Sequence, residues 1–229
     1  MKTSLAIKSF YFFGALLLIA EIFEIRILRL VPRLLMIPLL YFVYSKKTKL
    51  SNWGVSLVFL FYFFGEISSF FDGKAGLKYS LIFFGLGHLV LSVFAFKLIH
   101  EKGTKKLLYY SIPIILLWLI YYEFYLRDAF GDTLGALYPY VMAYSIALVM
   151  LNVLANVSFF NTGSQLTLYL IIIAVSLIIG DAMMSMYLFL NPISLFKSIN
   201  IASHIITYIF LLKFATDYEG FKLKSTYLP

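Results

Sequence analysis

The sequence predicts an all-helical membrane protein with eight transmembrane helices that form a single integral membrane domain over residues 1–229. Of its residues, 62% are hydrophobic, with a mean hydropathy of +0.92, and only 13% are charged. A soluble domain of this length needs more polar residues to cover its surface. The apolar residues also form long blocks of about 20 residues, the length of a helix that crosses a hydrocarbon core of about 30 Å. Backbone groups in that core must pair within their own segment, which favours helices.

Turn and charge signals separate the apolar blocks and set the bounds of each span. Lys2 and Lys8 precede the first block, which runs into Glu21 without the small-residue pattern of a cleaved signal peptide, so a retained helix is expected. The separators after the second block are SKKTKLSN, FDGKAGLK, EKGTKK, RDAFGD, NTGSQ and NPIS. The predicted spans cover residues 4–23, 27–44, 53–71, 79–98, 107–126, 134–155, 166–190 and 195–214.

Basic residues are distributed unevenly between the two sides of the predicted bundle. If the spans alternate in direction, twelve Lys and Arg residues fall on the side of the N-terminus and seven on the other side. The positive-inside rule therefore predicts cytoplasmic termini, which an even number of spans also requires. A bacterial inner membrane is the expected location. The net charge of +8 is explained by this topology, and no polar domain offers a basic face, so membrane lipids and not nucleic acid are the expected partners.

Several kinds of catalytic site are excluded by the residues that the sequence lacks. Cysteine is absent, which excludes disulfides, thiolate metal sites and cysteine nucleophiles. The sequence also lacks a phosphate-binding glycine loop, a GxSxG elbow and an HExxH motif. No cofactor is therefore expected.

Two stretches of the sequence resemble each other. The third and fourth spans read FFGEISSFF and then GLGHLVLSVF, while the seventh and eighth read IIGDAMMSMYLF and then INIASHIITYIF. Glu66 precedes His88 by 22 residues, and Asp181 precedes His204 by 23. The acids are therefore offset by 115 residues and the histidines by 116. An offset of four spans preserves the direction across the membrane, so the pattern indicates two parallel repeats whose acid–histidine pairs face each other.

The proposed repeats cover residues 1–105 and 106–220, and their ionisable residues are costly to place in a membrane. Each charged group near mid-membrane costs roughly 2.5–3.5 kcal/mol. Two unpaired acids would together cost about 5–7 kcal/mol, which is comparable with the net stability of a whole domain. Such acids pair, stay protonated or line a wet cavity. One buried acid–histidine pair is as compatible with helix packing as with function, but two facing pairs favour a functional site.

Three further residues have predicted contacts or roles. Arg33, at the start of the second span, reaches a lipid phosphate, a buried acid or, by snorkelling, the outer interface. Tyr144, in the middle of the sixth span, is a candidate hydroxyl of the site. Glu21 lies near the outer end of the first span, close to Arg29, and ion pairing at the interface is expected there.

The order and spacing of these motifs resemble the YhhN family of eight-helix membrane proteins, which includes the animal lysoplasmalogenases. RLLMIPLL is similar to the second-helix pattern, with Arg33 at its basic position, and FFGEISSFF is similar to the third-helix Ser-Leu-x-Gly-Asp motif. GLGHLVLSVF, IIGDAMMSMYLF and ASHIITYIF resemble the motifs of the fourth, seventh and last helices. The sequence departs from the family at Glu66, where Asp is usual, at Leu34, where Pro is usual, and at Gly180.

This resemblance implies hydrolysis of the vinyl ether bond of a lysoplasmalogen, a lysophospholipid, to a fatty aldehyde and a glycerophospho-alcohol. One carboxylic acid protonates the alkene carbon, and a second, ionised carboxylate stabilises the oxocarbenium-like cation and activates water. The hypothesis assigns Glu66 and Asp181 to this pair without deciding which is the acid. His88 and His204 orient the acids or relay protons, and Arg33 binds the phosphate.

Other interpretations of the same residues remain open. The two acids and two histidines are also suitable ligands for a metal ion that activates water. Ser68, His88 and Asp181 form a possible acyl-transfer set that lacks an elbow motif. Buried acids and histidines between repeats also occur in proton-coupled transporters. A lipid-binding protein or membrane scaffold without catalysis is the remaining alternative.

Overall fold

The computed structural model is helical, and its described part contains seven helices that are long and apolar enough to cross a membrane. It describes residues 2–23, 25–48, 52–71, 73–99, 104–106, 108–110, 133–189 and 192–227 and scattered positions from 113 to 128, without the side chains of 26, 27 and 220–227. The helices are α1 (Thr3–Ile22), α2 (Arg26–Lys47), α3 (Trp53–Phe70), α4 (Gly73–Lys97), α5 (Tyr138–Thr162), α6 (Gln165–Phe189) and α7 (Ser194–Tyr227).

Three helices extend well beyond the spans that the sequence predicts. Helix α5 ends at Thr162 and not at residue 155. Helix α4 begins at Gly73 and not at residue 79, since Gly73 adopts a φ of 87° and turns the chain directly out of α3. Helix α7 continues to Tyr227 and not to residue 214. Hydropathy falls at residues 216–220, but Tyr218 and Glu219 stay buried, so tertiary packing extends the helix beyond its apolar block.

Each described helix packs against the next one along the chain, and α7 packs against α1 and α2, so the seven helices close a ring. Small residues bring α3 and α4 close together. A Cβ atom at Gly65 would lie 2.7 Å from the ring of Phe84, and one at Gly87 would overlap the ring of Tyr62. Ser80 adds a hydrogen bond of 2.8 Å to the Gly65 carbonyl. Close packing of these two helices positions Glu66, one residue beyond Gly65.

Helices α4 and α5 run in the same direction. The Lys78 ammonium lies 4.5 Å from the centre of the Tyr140 ring near the start of both helices. Asn161, near the end of α5, donates a hydrogen bond of 3.1 Å to Thr104, just beyond the end of α4. The connection from α4 to α5 therefore begins and ends on opposite faces of the bundle. The predicted fifth span, residues 107–126, lies in this connection, and most of it falls outside the described residues.

Helices α1 and α7 are antiparallel. Glu21, near the end of α1, pairs with Lys197, near the start of α7. A Cβ atom at Gly14, further back on α1, would lie 3.4 Å from Ile205 of α7. The start of α1 and the end of α7 therefore share one face of the bundle, here called the terminal face, and Glu21 lies toward the opposite far face. Which face is cytoplasmic remains a prediction from the basic residues.

Candidate functional site

The half of the bundle toward the far face encloses a cavity of about 860 Å³, a volume typical of small-molecule sites. All seven described helices contribute to its wall. One strip of α7 at helical spacing runs along the whole cavity: Ser194, Lys197, Asn200, Ile201, His204, Ile205 and Tyr208. Of the six residues that the sequence singles out, five line this cavity: Arg33, Glu66, Tyr144, Asp181 and His204.

Glu66, near the end of α3, is the centre of the first polar group. Tyr208 of α7 donates a short hydrogen bond to its Oε1 atom. The Nη1 atom of Arg33 lies 3.4 Å from Oε2 and also donates to the hydroxyl of Ser69. The Nδ1 atom of His204 lies 3.6 Å from Glu66 Oε1 and 3.2 Å from the Tyr208 hydroxyl. This carboxyl group therefore contacts a cation, a phenol and an imidazole.

Asp181, on α6, is the centre of the second polar group. The Tyr144 hydroxyl donates a hydrogen bond of 2.5 Å to its Oδ2 atom. Within the described part of the chain, no Lys or Arg lies within ion-pair distance of Asp181. The two carboxyl groups thus share one cavity but differ in their surroundings, because Glu66 faces Arg33 while Asp181 faces a neutral hydroxyl.

His88 does not line the cavity, although its spacing from Glu66 predicts a role in the site. It is fully buried behind the cavity wall, with its ring centre 5.1 Å from the Tyr144 ring and 5.8 Å from the Tyr62 ring. Neither ring nitrogen has a hydrogen-bond partner among the described residues. The side chain of Tyr144 connects it to Asp181. The structure therefore supports a packing contact with the site, and brings only His204 to an acid.

The two predicted repeats do not form equivalent polar sites. Helices α3 and α4 pack as a pair, as do α6 and α7. His204, however, is followed four residues later by Tyr208, whereas Ser92 stands at the same distance from His88. Ser92 donates its hydroxyl to the His88 carbonyl and reaches no acid. The similarity of the repeats therefore does not extend to the contacts of the carboxyl groups.

Sequence reasoning missed Tyr208, which makes the shortest contact with Glu66. A signal was present, since residues four apart on a helix lie on one face and Tyr208 follows His204 by four. A second departure concerns Glu21, which is only 2% exposed and not at an open interface. Its Oε1 atom lies 2.6 Å from Lys197, and its Oε2 atom lies 3.3 Å from Arg29. The expected pairing with Arg29 is confirmed, but it forms on the cavity wall.

Two alternative sites find no matching geometry in the described part of the chain. Ser68 is buried and does not line the cavity that contains Asp181. The described residues contain no group of three or more His, Asp or Glu side chains with the geometry to hold a metal ion.

Comparison of the chain with protein families, with curated proteins and with solved structures found no match. The resemblance to the YhhN family therefore rests on the motifs of this sequence alone.

Proposed function

We propose that this protein is an intramembrane lipid hydrolase that cleaves the vinyl ether bond of a lysoplasmalogen, as the motifs shared with the YhhN family suggest. The observation that supports the proposal most directly is the pair Glu66 and Asp181. Both carboxyl groups line one cavity inside a bundle of membrane-length helices, and their surroundings differ. Vinyl ether hydrolysis needs one proton donor and one carboxylate, so two unlike carboxyl groups suit this reaction.

The contacts of the two acids suggest which role each takes. Arg33 balances the charge of Glu66, so Glu66 acts as the ionised carboxylate. Asp181 has a hydroxyl as its partner and no cation within ion-pair distance among the described residues, so it acts as the proton donor. In this assignment Arg33 holds Glu66 and does not bind the phosphate, which departs from the role that the family resemblance implies.

The reaction balances with water as the only other reactant. The Asp181 carboxyl transfers its proton to the outer alkene carbon, which leaves an oxocarbenium cation at the carbon bonded to oxygen. Water attacks that carbon while Glu66 takes its proton, and the product is a hemiacetal. The hemiacetal hydroxyl then loses its proton as the ether oxygen gains one. The carbon–oxygen bond breaks to give an aldehyde and a glycerophospho-alcohol, and a return of the proton from Glu66 to Asp181 restores the pair.

Three side chains position the two acids. Tyr208 and His204 both contact Glu66 Oε1, and the imidazole is placed to carry the proton that Glu66 receives. Tyr144 holds Asp181 through its hydroxyl, which fixes the direction in which the acid faces the cavity. These residues are positioning groups, because each acts on substrate through an acid.

The lining of the cavity suits a lipid with one chain. Apolar side chains from five helices form much of the wall: Leu17, Met36, Leu77, Leu81, Phe84, Leu148 and Ile205. Such a wall accepts a hydrocarbon chain without a loss of hydrogen bonds. A single-chain lysolipid therefore fits both the apolar wall and the acid pair.

The proposal is tested by measuring aldehyde release from a vinyl ether lysolipid with the purified protein, by mass spectrometry. We expect Asp181→Asn to lower the rate about 10³-fold, since general acid catalysis contributes about 10²–10⁴-fold. Asp217→Asn, at an exposed position of α7, is the matched control and should keep the wild-type rate. A saturated alkyl ether lysolipid should stay intact because it has no alkene to protonate. Wild-type activity in Asp181→Asn would remove Asp181 from the mechanism.

Proton-coupled transport is a second candidate, favoured by one specific observation. Glu66, Arg33, His204 and Tyr208 form a network of titratable groups between helices that belong to different predicted repeats. Uptake into liposomes that depends on a proton gradient, without cleavage of any lysolipid, would support transport and oppose the hydrolase.

A further inference from the structure

A second polar cluster lies on the wall of the same cavity, toward the far face and away from the acid pair. It consists of Glu21, Arg29, Lys74 and Lys197, here called the mouth cluster. Among the described residues that line the cavity, Arg33 is the one further cation, and Glu66 balances it. Among the described residues that line this end of the cavity, three cations of the mouth cluster thus face a single acid. This end of the cavity carries an excess of positive charge in a partly buried setting.

Contacts within the mouth cluster hold Glu21, Arg29 and Lys197 in place, while Lys74 is exposed at the start of α4. Glu21 is 2% exposed, with Lys197 2.6 Å from Oε1 and Arg29 3.3 Å from Oε2. Arg29 also reaches the carbonyl of Ala20 at 3.4 Å, and the Lys197 ammonium lies 5.4 Å from the centre of the Tyr187 ring. A buried carboxylate and its neighbours therefore fix two cations against the cavity before any ligand arrives, which favours anion binding.

We propose that the mouth cluster binds the phosphate of the lysophospholipid and thereby places the reacting bond beside the acid pair. This inference rests on the hydrolase proposed above and names the headgroup chemistry that the same cavity recognises. Arg29, Lys74 and Lys197 supply the donors. Glu21 opposes the anion with its own charge, and it organises the cations while it keeps their affinity moderate.

The position of the cluster along the helices matches the dimensions of such a lipid. Arg29 lies one turn outward of Arg33 on α2, and Lys197 lies two turns outward of His204 on α7. At 1.5 Å per residue these offsets are about 6 Å and about 10 Å along the axes. In an extended lysoplasmalogen, six single bonds separate the phosphorus from the alkenyl carbon that is bonded to oxygen, about 8 Å at ordinary bond lengths. A phosphate at the mouth cluster therefore places the vinyl ether at the depth of Glu66.

Binding of a lipid that cannot be cleaved tests this inference separately from catalysis. The probe is a saturated alkyl ether lysophospholipid, with the matched alkylglycerol as the lipid without phosphate and inorganic phosphate as the free anion. Affinities are measured by calorimetry with the full chain in detergent. We expect the phosphate to strengthen lipid binding at least tenfold, and inorganic phosphate to bind far more weakly than the lipid. Lys47→Gln, an exposed change on the terminal face, serves as the control and should match wild type.

Two variants of the same ion pair distinguish recognition from mere support of the fold. Lys197→Gln removes a donor and should weaken lysolipid binding about tenfold. Glu21→Gln removes the opposing charge and should strengthen it about threefold, because Arg29 and Lys197 lose their competitor. If the Glu21–Lys197 ion pair only supported the fold, both substitutions would change the affinity for the lysolipid in the same direction. That result would overturn the inference. Equal binding of the alkylglycerol, or binding of inorganic phosphate as tight as that of the lipid, would also overturn it.

The cleavage assay separates the two proposals. Lysolipid binding with these opposite charge effects, but without aldehyde release from the vinyl ether substrate, would overturn the hydrolase and keep the phosphate site. Aldehyde release with an unchanged KM in Lys197→Gln would overturn the phosphate site and keep the hydrolase.

Discussion

The two halves of this bundle differ in what fills the space between the helices. Toward the terminal face, large side chains from different helices meet without exposure: Leu40 and Tyr44 of α2, Phe59 of α3, Leu91 of α4, Leu151 of α5, Ile173 of α6 and Phe214 of α7 are each at most 2% exposed. This region is the packed half. Toward the far face, the same helices separate around the cavity, and this region is the cavity half.

Stability and chemistry are divided along the helix axes of this bundle. Lipid tails are as apolar as leucine, so close contact between side chains, and not exclusion from water, holds membrane helices together. In the packed half, the rings of Phe94, Phe214 and Tyr218 lie 4.9–5.8 Å apart in pairs. In the cavity half, Glu66 and Asp181 each cost roughly 2.5–3.5 kcal/mol at membrane depth when unpaired. The packed half supplies the contacts that let the cavity half keep these groups.

The packed half and the cavity half should differ most in how much a leucine of α4 contributes to the free energy of unfolding. Leu91 is fully buried in the packed half, while Leu77 lines the cavity and is partly exposed. We expect Leu91→Ala to lower the free energy of unfolding by about 3 kcal/mol, because it leaves a void among packed neighbours. Leu77→Ala should lower it by less than about 1 kcal/mol and raise the KM for a lysolipid instead.

The measurement for this pair is denaturant-induced unfolding in detergent, beside the aldehyde assay. Leu91→Ala should keep the wild-type kcat for the fraction that is folded. Equal losses of stability in the two variants would show that the two halves contribute alike, and would remove the division proposed here.

The sequence predicted the helices and the carboxyl pair because both depend on local or additive properties. Long apolar blocks determine the spans, so the predicted bounds match α1 and α3 within one or two residues. The high cost of an acid in a membrane made Glu66 and Asp181 candidates, and the structure places both on one cavity. Helix α7 was predicted too short because the packing of Tyr218 and Glu219, which hydropathy does not report, extends it.

The contacts that define the site depended on which helices are neighbours, and the sequence carries no local signal for that. The sequence allows Arg33 to contact a lipid phosphate, a buried acid or the outer interface. The packing of α2 against α3 places it beside Glu66. Glu66 and His88 lie on adjacent helices, as their spacing predicts, but the side chain of His88 packs behind Tyr144. The partner of Glu66 is therefore His204, which comes from the other end of the chain.

The two histidines also differ in position, because His204 lines the cavity and His88 lies behind its wall. We expect His204→Leu to lower the rate of aldehyde release about 100-fold, because Glu66 loses the imidazole that handles its proton. His88→Leu should change the rate less than about threefold. It should also leave stability unchanged or slightly higher, since a buried group without hydrogen-bond partners among the described residues is replaced by an apolar one.

The pH profile provides the second readout for this pair. The profile of aldehyde release should change shape in His204→Leu and keep its wild-type shape in His88→Leu. A loss of activity in His88→Leu as large as that in His204→Leu would instead assign equal roles to the two acid–histidine pairs, as the internal repeat predicts.

A smaller change in rate is expected at a tyrosine of α7, which has a counterpart on α2. The hydroxyl group of each tyrosine donates a hydrogen bond to a buried glutamate. Tyr208 donates to Glu66 in the cavity half, and Tyr44 donates to Glu219 at 3.3 Å in the packed half. Each hydroxyl makes a second hydrogen bond, Tyr208 with His204 Nδ1 at 3.2 Å and Tyr44 with the Asn52 amide at 2.9 Å. Replacement of either by Phe keeps the ring and removes both hydrogen bonds, which lowers the free energy of unfolding by about 2 kcal/mol. Only Tyr208→Phe should also lower the rate of aldehyde release, by about tenfold, because the hydroxyl orients Glu66 toward water. Tyr44→Phe should unfold as easily as Tyr208→Phe and still react at the wild-type rate, and a tenfold loss of rate in both variants would show that the packed half also controls the chemistry.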